Sequence, residues 1–188
     1  MTLLIAGLVT FLTIHLVPSA PGLRAALVGK LGELSYKASF ALISLAGIVL
    51  IVKGLQQAPF DPLYAPPDWG RHAAMLLMLP AIYLFASTGR FPAPSSAKVL
   101  TAHPMNWGVI LWSIGHLLSN GDLAHVLLFA TIGAFGAISI VTGNARGLKP
   151  ASERPPLAME AGFGVLVLVI YAALLWGHAY FTGMPLIG

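Results

Sequence analysis

Six long apolar stretches divide this chain of 188 residues and restrict its fold more than any other feature. They are residues 3–17, 38–52, 72–87, 105–118, 123–141 and 161–181. A helix needs about 20 residues to cross the hydrocarbon of a bilayer, so we expect each stretch to recruit some flanking residues. Only 9% of the residues are charged, which is too few to cover a water-facing surface. The sequence therefore predicts an all-α integral membrane bundle of about six transmembrane helices.

The segment after Pro21 predicts a short additional helix that lies along the membrane surface. Four leucines recur there at helical spacing, with charged residues between them: Leu23, Leu27, Leu31 and Leu34. The connection at residues 119–122 is so short that the fourth and fifth apolar helices should form an antiparallel pair. We find no internal repeat, and we expect residues 1–188 to form a single transmembrane domain.

Lysine and arginine are divided unevenly between alternate loops. The first, third and fifth loops hold eight of them: Arg24, Lys30, Lys37, Arg90, Lys98, Arg146, Lys149 and Arg154. Because basic loops stay in the cytoplasm, we expect both termini on the outer, periplasmic side of a bacterial inner (cytoplasmic) membrane. The lipid bilayer is the expected partner. No run of like charge is long enough to bind nucleic acid, so a nucleic-acid partner is not expected.

The composition also removes several kinds of chemistry. The chain has no cysteine, which excludes disulfides, thiolate metal sites and thiolate ligation of haem. All six carboxylates fall in the predicted loops or at helix edges, so none is placed inside the bilayer to relay protons or bind a cation. The sequence therefore disfavours a proton-coupled transporter or an ion channel.

The six histidines are the unusual polar residues of this chain. His15 and His116 lie within apolar stretches, His72 opens the third stretch, and His103 directly precedes the fourth. An imidazole in lipid needs a partner, which is another histidine through a metal, a carbonyl or hydroxyl on a helix, or a haem iron. The residues alone leave these alternatives open.

The remaining two histidines have simpler interpretations. His125 follows Asp122 by three residues, which predicts a surface pair at the start of the fifth apolar helix. His178 lies among aromatic residues near the end of the sixth, where an interfacial position is the more common role.

The surroundings of His116 include small residues beside a large aromatic ring. Gly108, Trp112 and Gly115 follow a helical spacing that places them on the same face as His116. Phe11 precedes His15 by four residues and gives that histidine an apolar wall. A flat apolar cofactor would suit both sites, and ordinary helix packing through glycines and aromatics is the alternative.

One segment carries a resemblance to a known family. The sequence His103-Pro104-Met105-Asn106-Trp107-Gly108, with His116 thirteen residues after His103 and then Asn120-Gly121-Asp122, resembles the NnrU family of membrane proteins. That family is related to the 15-cis-zeta-carotene isomerases of plants and cyanobacteria. The similarity runs from His15 to about Thr142 and is most specific after Thr101.

This resemblance implies a cofactor and a reaction. Isomerases of this type carry haem b between two membrane histidines and isomerise a cis double bond of a lipophilic polyene in one redox state of the iron. By resemblance, His15 and His116 correspond to the axial ligands. The helical spacing around His116 adds Trp112 and Gly108 as residues expected beside the cofactor. His103 matches the motif histidine and is an alternative ligand, and His72 is a second alternative.

In the predicted topology His15 and His116 differ in depth by about 15 Å, so depth alone would pair His15 with His103 and His116 with His72.

The family name comes from bacterial gene sets for reducing nitrogen oxides, which implies a second function, a non-catalytic accessory protein in denitrification. Membrane methyltransferases of the isoprenylcysteine type share the His-Pro pattern but pair it with polar and acidic residues that this chain lacks.

Overall fold

The computed structural model describes residues 1–88 and 95–186, and in these ranges the regular structure is helical. The eight α-helices of this part of the chain are α1 (Thr2–Leu16), α2 (Pro21–Leu31), α3 (Glu33–Gln57), α4 (Gly70–Ala86), α5 (Ser96–Leu100), α6 (Pro104–Leu117), α7 (Leu123–Ala145) and α8 (Leu157–Thr182). A single 3-10 turn, Val17–Ser19, follows α1 directly. The prediction of an all-α fold is confirmed.

Four helical segments are long and apolar enough to cross a bilayer: Thr2–Ser19, Glu33–Gln57, Leu123–Ala145 and Leu157–Tyr180. The other two predicted stretches form α4 and α6, which have 17 and 14 residues. At 1.5 Å per residue these helices are about 26 and 21 Å long, less than the roughly 30 Å of a hydrocarbon core. Large apolar side chains on α3 and α8 are exposed, as expected for surfaces in contact with lipid.

The six apolar helices lie side by side in the order α3, α1, α7, α6, α4, α8. Glycines allow several of these contacts. A Cβ at Gly54 of α3 would lie 2.8 Å from Leu4 Cβ, and one at Gly47 would lie 3.0 Å from Phe11 Cβ, so α1 and α3 run antiparallel. The α6–α7 pair is also antiparallel, as predicted, because Gly133 meets Ser113 while Gly143 meets His103.

The helix after Pro21 is shorter than its leucine spacing predicts. It ends at Leu31, and the next residue, Gly32, has a φ of 80°, a left-handed conformation that glycine adopts at little cost. The chain therefore turns there, and Leu34 belongs to α3 instead of the predicted surface helix. Within α2 no residue is buried, so its leucines are available to a membrane surface.

The ends of α1 and α7 and the short helix α5 meet at one end of the bundle. A guanidinium nitrogen of Arg146 donates a hydrogen bond to the Ser19 carbonyl at 2.8 Å, and the Ala151 amide donates to the Lys98 carbonyl at 2.8 Å. The basic residues of the first, third and fifth loops are thus gathered at this end, which we call the basic end. Arg90, also counted in that set, lies outside the described residues.

Candidate functional site

His15 and His116 make the same hydrogen bond on different helices. Nδ1 of His15 lies 2.7 Å from the Phe11 carbonyl oxygen, and Nδ1 of His116 lies 2.8 Å from the Trp112 carbonyl oxygen. Because a carbonyl oxygen only accepts, Nδ1 carries the proton in both rings. Within the described residues Nε2 of neither ring makes a hydrogen bond, so its lone pair is free. Metal-ligating histidines are commonly oriented in this way, through a ring N–H that donates to a backbone carbonyl.

Three phenylalanines surround the imidazole of His15. Its ring centroid lies 4.0 Å from that of Phe11, 5.1 Å from that of Phe40 and 6.3 Å from that of Phe135. These rings come from α1, α3 and α7. The half-buried imidazole is therefore held in an aromatic environment at the point where three helices meet.

His116 has an equivalent aromatic environment, formed by Trp112 of α6 and Phe129 of α7. Its ring stacks on Phe129 with centroids 4.4 Å apart, and its centroid lies 4.8 Å from that of Trp112. Trp112 and Phe129 also contact each other edge to face at 4.8 Å. The predicted neighbourhood of Trp112 and His116 is present, and Phe129 completes it from the next helix.

The two glycines of the predicted slot lie elsewhere. A Cβ at Gly108 would lie 3.1 Å from the Ala81 carbonyl oxygen, and one at Gly115 would lie 3.2 Å from Met78 Cε. Both glycines thus face α4, whereas Trp112 and His116 face Phe129 of α7. Gly108 serves the close approach of α4 and α6 and is not beside the imidazole.

The positions of His15 and His116 can be compared along α7. His15 packs on Phe135 and His116 on Phe129, and six residues of helix correspond to about 9 Å. Two imidazoles on one iron need Nε2 atoms about 4 Å apart, given iron to nitrogen bonds of about 2 Å. The donor chemistry of the pair fits haem. Because the ring centroids lie 6.3 Å (His15) and 4.4 Å (His116) from those of their phenylalanines, the 9 Å along α7 is the spacing of the phenylalanines and not of the imidazoles.

The two alternative ligands are placed less favourably. His103 is 7% exposed, and its Nε2 is engaged by Asn144 Oδ1 at 2.8 Å. It lies beside Gly143, about 12 Å along α7 from Phe135, the ring that His15 contacts on that helix. His72 is exposed on α4 and makes no hydrogen bond or ring contact within the described residues.

A loop closes the bundle beside the end of α6. The single hydroxyl hydrogen of Tyr64 is shared between the carbonyl oxygens of Leu117 and Asn120, the latter at 2.8 Å. The Asn120 side chain in turn donates to the His116 carbonyl at 2.9 Å. Partial burial raises the pKa of Tyr64, and the charge of Asp122 adds to the effect. This contact gives the Asn120-Gly121-Asp122 segment a structural role that the sequence did not indicate.

The other two histidines have local partners. Nδ1 of His125 lies 2.6 Å from Asp122 Oδ2, which confirms the predicted pair at the start of α7. Nδ1 of His178 donates to the Met184 carbonyl at 2.9 Å. Across residues 1–88 and 95–186, no group of three or more histidine, aspartate or glutamate side chains is arranged to hold a metal ion.

The long apolar helices and the two histidines among them define an all-helical membrane protein with imidazoles in its interior. The chain belongs to the NnrU family, since the family model described as NnrU protein matches residues 3–186. Comparison with curated proteins and comparison with solved structures each find no match.

Proposed function

We propose that this NnrU-family chain is a membrane-embedded haem b protein that catalyses redox-dependent cis–trans isomerisation of a lipophilic polyene. His15 and His116 are the residues that would hold the haem iron. The observation that carries the proposal is that both imidazoles have Nδ1 bound to a backbone carbonyl and Nε2 free, in aromatic surroundings inside apolar helices. The resemblance to 15-cis-zeta-carotene isomerases supplies the cofactor and the reaction.

The proposal includes a membrane topology, which the packing order of the helices and the position of the basic end support. We propose that all six apolar helices cross a bacterial inner membrane, with the basic end in the cytoplasm and both termini outside. The short helices α4 and α6 lie in the middle of the row, each packed between two neighbours, so they need not match the full lipid thickness by themselves. A polyene would reach the histidines through lipid and would not have to cross water.

The chain itself supplies ligands, orientation and exclusion of water. Haem, when bound, supplies a redox-active iron that lends electron density to a double bond of the polyene and lowers its rotational barrier. The backbone bonds of His15 and His116 fix the orientation of each ring on its own helix. The phenylalanines around both rings provide an apolar lining, which suits a porphyrin and a hydrocarbon substrate alike.

The seam between α1 and α7 is the proposed place for the cofactor. α1 contacts α7 less extensively than it contacts α3, and α6 is packed firmly on both α4 and α7. His15 and His116 therefore belong to two helix groups that meet along this seam. A shared iron would require the two Nε2 atoms to lie about 4 Å apart across this seam.

An assay on a defined substrate tests the proposed reaction. Purified protein, supplied with haem, is incubated with 15-cis-zeta-carotene in detergent under reducing and under oxidising conditions, and the isomers are separated by chromatography. We expect conversion to the all-trans form in one redox state, loss of conversion in His116→Ala, and retention in His125→Ala as the matched control. Equal conversion by wild type and His116→Ala would contradict the proposal.

The alternative function makes a different prediction. An accessory protein of nitrogen-oxide metabolism would leave the polyene unchanged in both redox states. A change of its absorption spectrum on addition of nitric oxide to the reduced protein, without any isomerisation of the polyene, would favour this function. The two outcomes are measured on the same preparation, so a single experiment separates them.

A further inference from the structure

Residues 58–69, which connect α3 and α4, form an irregular strap on the end of the bundle opposite the basic end. The backbone of this strap is hydrogen bonded to the connection between α6 and α7. The amides of Leu63 and Tyr64 donate to the Gly121 carbonyl at 2.8 and 3.2 Å. The two segments approach so closely that a Cβ at Gly121 would overlap the Tyr64 carbonyl oxygen. The strap is therefore held flat against the α6–α7 connection and does not extend away from the bundle.

The strap supplies hydrogen-bond donors to the carbonyl groups at and after the end of α6. The last carbonyls of a helix have no partner within that helix. The Tyr64 hydroxyl is shared between the carbonyls of Leu117 and Asn120, and the Gly121 carbonyl accepts from two amides of the strap. Irregular backbone at membrane depth is tolerated only where the protein itself satisfies such groups or where they line a cavity filled with water. The strap thus makes the connection after α6 compatible with a position at the membrane boundary.

The length of α7 gives the depth of the strap in the bilayer. Arg146, three residues beyond Gly143, marks the boundary at the basic end, because a charged side chain is costly in hydrocarbon. At the other end, the amide of Leu123, the first residue of α7, donates to the Asp61 carbonyl of the strap at 2.8 Å. The twenty residues from Gly143 to Leu123 correspond to about 30 Å of helix, the thickness of a hydrocarbon core.

The shorter helix α6 does not reach this level. It begins beside Gly143 and accounts for about 21 Å of the depth. The strap and the connection that it covers therefore fill the remainder and lie at the far boundary between hydrocarbon and water.

The surface of the strap combines apolar and charged side chains. Phe60, Leu63 and Trp69 are each more than half exposed. Exposed apolar patches mark sites of contact with a membrane or with another protein. The two charged residues of the strap, Asp61 and Asp68, are exposed as well. This composition suits a segment that contacts lipid with some of its side chains and water with the others.

We propose that the strap is an interfacial anchor, which inserts Phe60, Leu63 and Trp69 into the lipid leaflet at this end of the bundle. Tryptophan is favoured at the level of the headgroups, where its ring contacts apolar groups and its N–H contacts water. Asp61 and Asp68 face the water. The anchor holds the end of α6 at the membrane boundary and does not depend on haem.

Neighbouring elements favour lipid over a partner protein as the occupant of this surface. Arg71, at the start of α4, donates to the Pro185 carbonyl at 2.8 Å, so the segment after α8 lies next to the strap. The last turns of α8 present two further exposed aromatic residues, Trp176 and Tyr180, at this end. Exposed aromatic side chains on separate elements at one level match the belt that tryptophan and tyrosine form at membrane–water boundaries.

Spin labelling measures the position of the strap directly, because the chain has no native cysteine. Phe60→Cys, Leu63→Cys and Asp68→Cys are each labelled with a nitroxide, and the full chain is reconstituted into phosphatidylcholine vesicles. We expect the labels at positions 60 and 63 to collide more often with oxygen, which concentrates in hydrocarbon, than with a nickel chelate that stays in water. The label at position 68 should show the reverse order. Leu168→Cys, at an exposed position within the apolar helix α8, gives the reference value for hydrocarbon.

The outcomes are distinct. More frequent collisions with oxygen at positions 60 and 63, together with more frequent collisions with nickel at position 68, support the anchor. More frequent collisions with nickel at all three positions would place the strap in water and overturn the proposal. Labels at 60 and 63 that neither probe reaches would indicate contact with protein, and dipolar broadening between such labels would identify a second copy of this chain. Either of these results would also overturn the proposal.

Discussion

The imidazole of His116 stacks on the ring of Phe129, with centroids 4.4 Å apart and planes inclined by 30°. Phe129 is 5% exposed and belongs to the same buried cluster as Leu4, Leu8 and Leu128. This one aromatic ring thus connects a proposed ligand on α6 with the packing of α1 against α7. Its removal should affect both the stability of the bundle and the environment of His116.

Phe129→Ala should lower the free energy of unfolding by about 3 kcal/mol, because it leaves a cavity in the main cluster. The measurement is thermal unfolding in detergent. Leu168→Ala on α8 is the control, since Leu168 is 55% exposed and should cost far less. Equal losses in the two variants would show that Phe129 does not hold α7 against its neighbours.

Two Gly→Ala substitutions should have effects of opposite sign. Gly54→Ala places a Cβ within 2.8 Å of Leu4 Cβ and should push α1 from α3, which lowers the melting temperature. Gly29→Ala in α2 meets no atom within 4 Å and should raise helix stability by up to about 1 kcal/mol. Both melting temperatures are measured under one condition. A melting temperature that rises in Gly54→Ala would contradict the close approach of α1 and α3.

Tyr64→Phe should destabilise the protein at neutral pH, because it removes the hydroxyl that donates to Leu117 and Asn120. The pKa of Tyr64 is raised above 10.0 in the folded protein, so the contribution of its protonated hydroxyl is fully present below pH 10. That contribution is lost as the pH rises through the folded-state pKa. The difference in melting temperature between wild type and Tyr64→Phe should therefore shrink in strongly alkaline buffer.

The control for this prediction is Tyr180→Phe, because Tyr180 is 91% exposed. It should change neither the melting temperature nor its dependence on pH. A difference for Tyr64→Phe that stays constant from neutral to alkaline pH would refute the proposed role of the protonated hydroxyl.

The membrane topology is testable because the chain has no native cysteine. Single cysteines at exposed positions, Asp68→Cys between α3 and α4 and Lys30→Cys in α2, provide one reporter at each end of the bundle. In intact bacterial cells a membrane-impermeant maleimide should label Asp68→Cys, and Lys30→Cys should react only after lysis. The reverse pattern would invert the proposed orientation.

The helices were predictable from the sequence because hydropathy is a local property. Each apolar stretch overlaps one of the six apolar helices, and the short 119–122 connection predicted the antiparallel α6–α7 pair. The end of the predicted surface helix was wrong by one turn, since leucine spacing continues past Gly32, whose positive φ ends α2. The lengths of two helices also differed from the prediction: α4 and α6 are too short to span the full hydrocarbon thickness of a bilayer.

The contacts between helices were not predictable to the same degree. Helical spacing places Gly108, Trp112 and His116 on one face of α6. That face is wide enough to contact both α4 and α7, and its two glycines, Gly108 and Gly115, lie on the part that contacts α4. The sequence did not indicate the roles of Phe129, Phe135 and Tyr64. Each of these residues contacts a helix or loop that is distant in the sequence, and those contacts depend on how the helices pack. The bond from Nδ1 of His15 to Phe11 spans only four residues, and its donor and acceptor were both visible in the sequence.

The most direct measurement for the central claim is the absorption spectrum of the detergent-purified protein, produced with ample haem, before and after reduction. The account predicts a Soret band with a shift on reduction that survives in His125→Ala and disappears in His15→Ala and in His116→Ala. Absence of a band in wild type would contradict haem binding. A band that is unchanged in either His15→Ala or His116→Ala would contradict the ligand assignment.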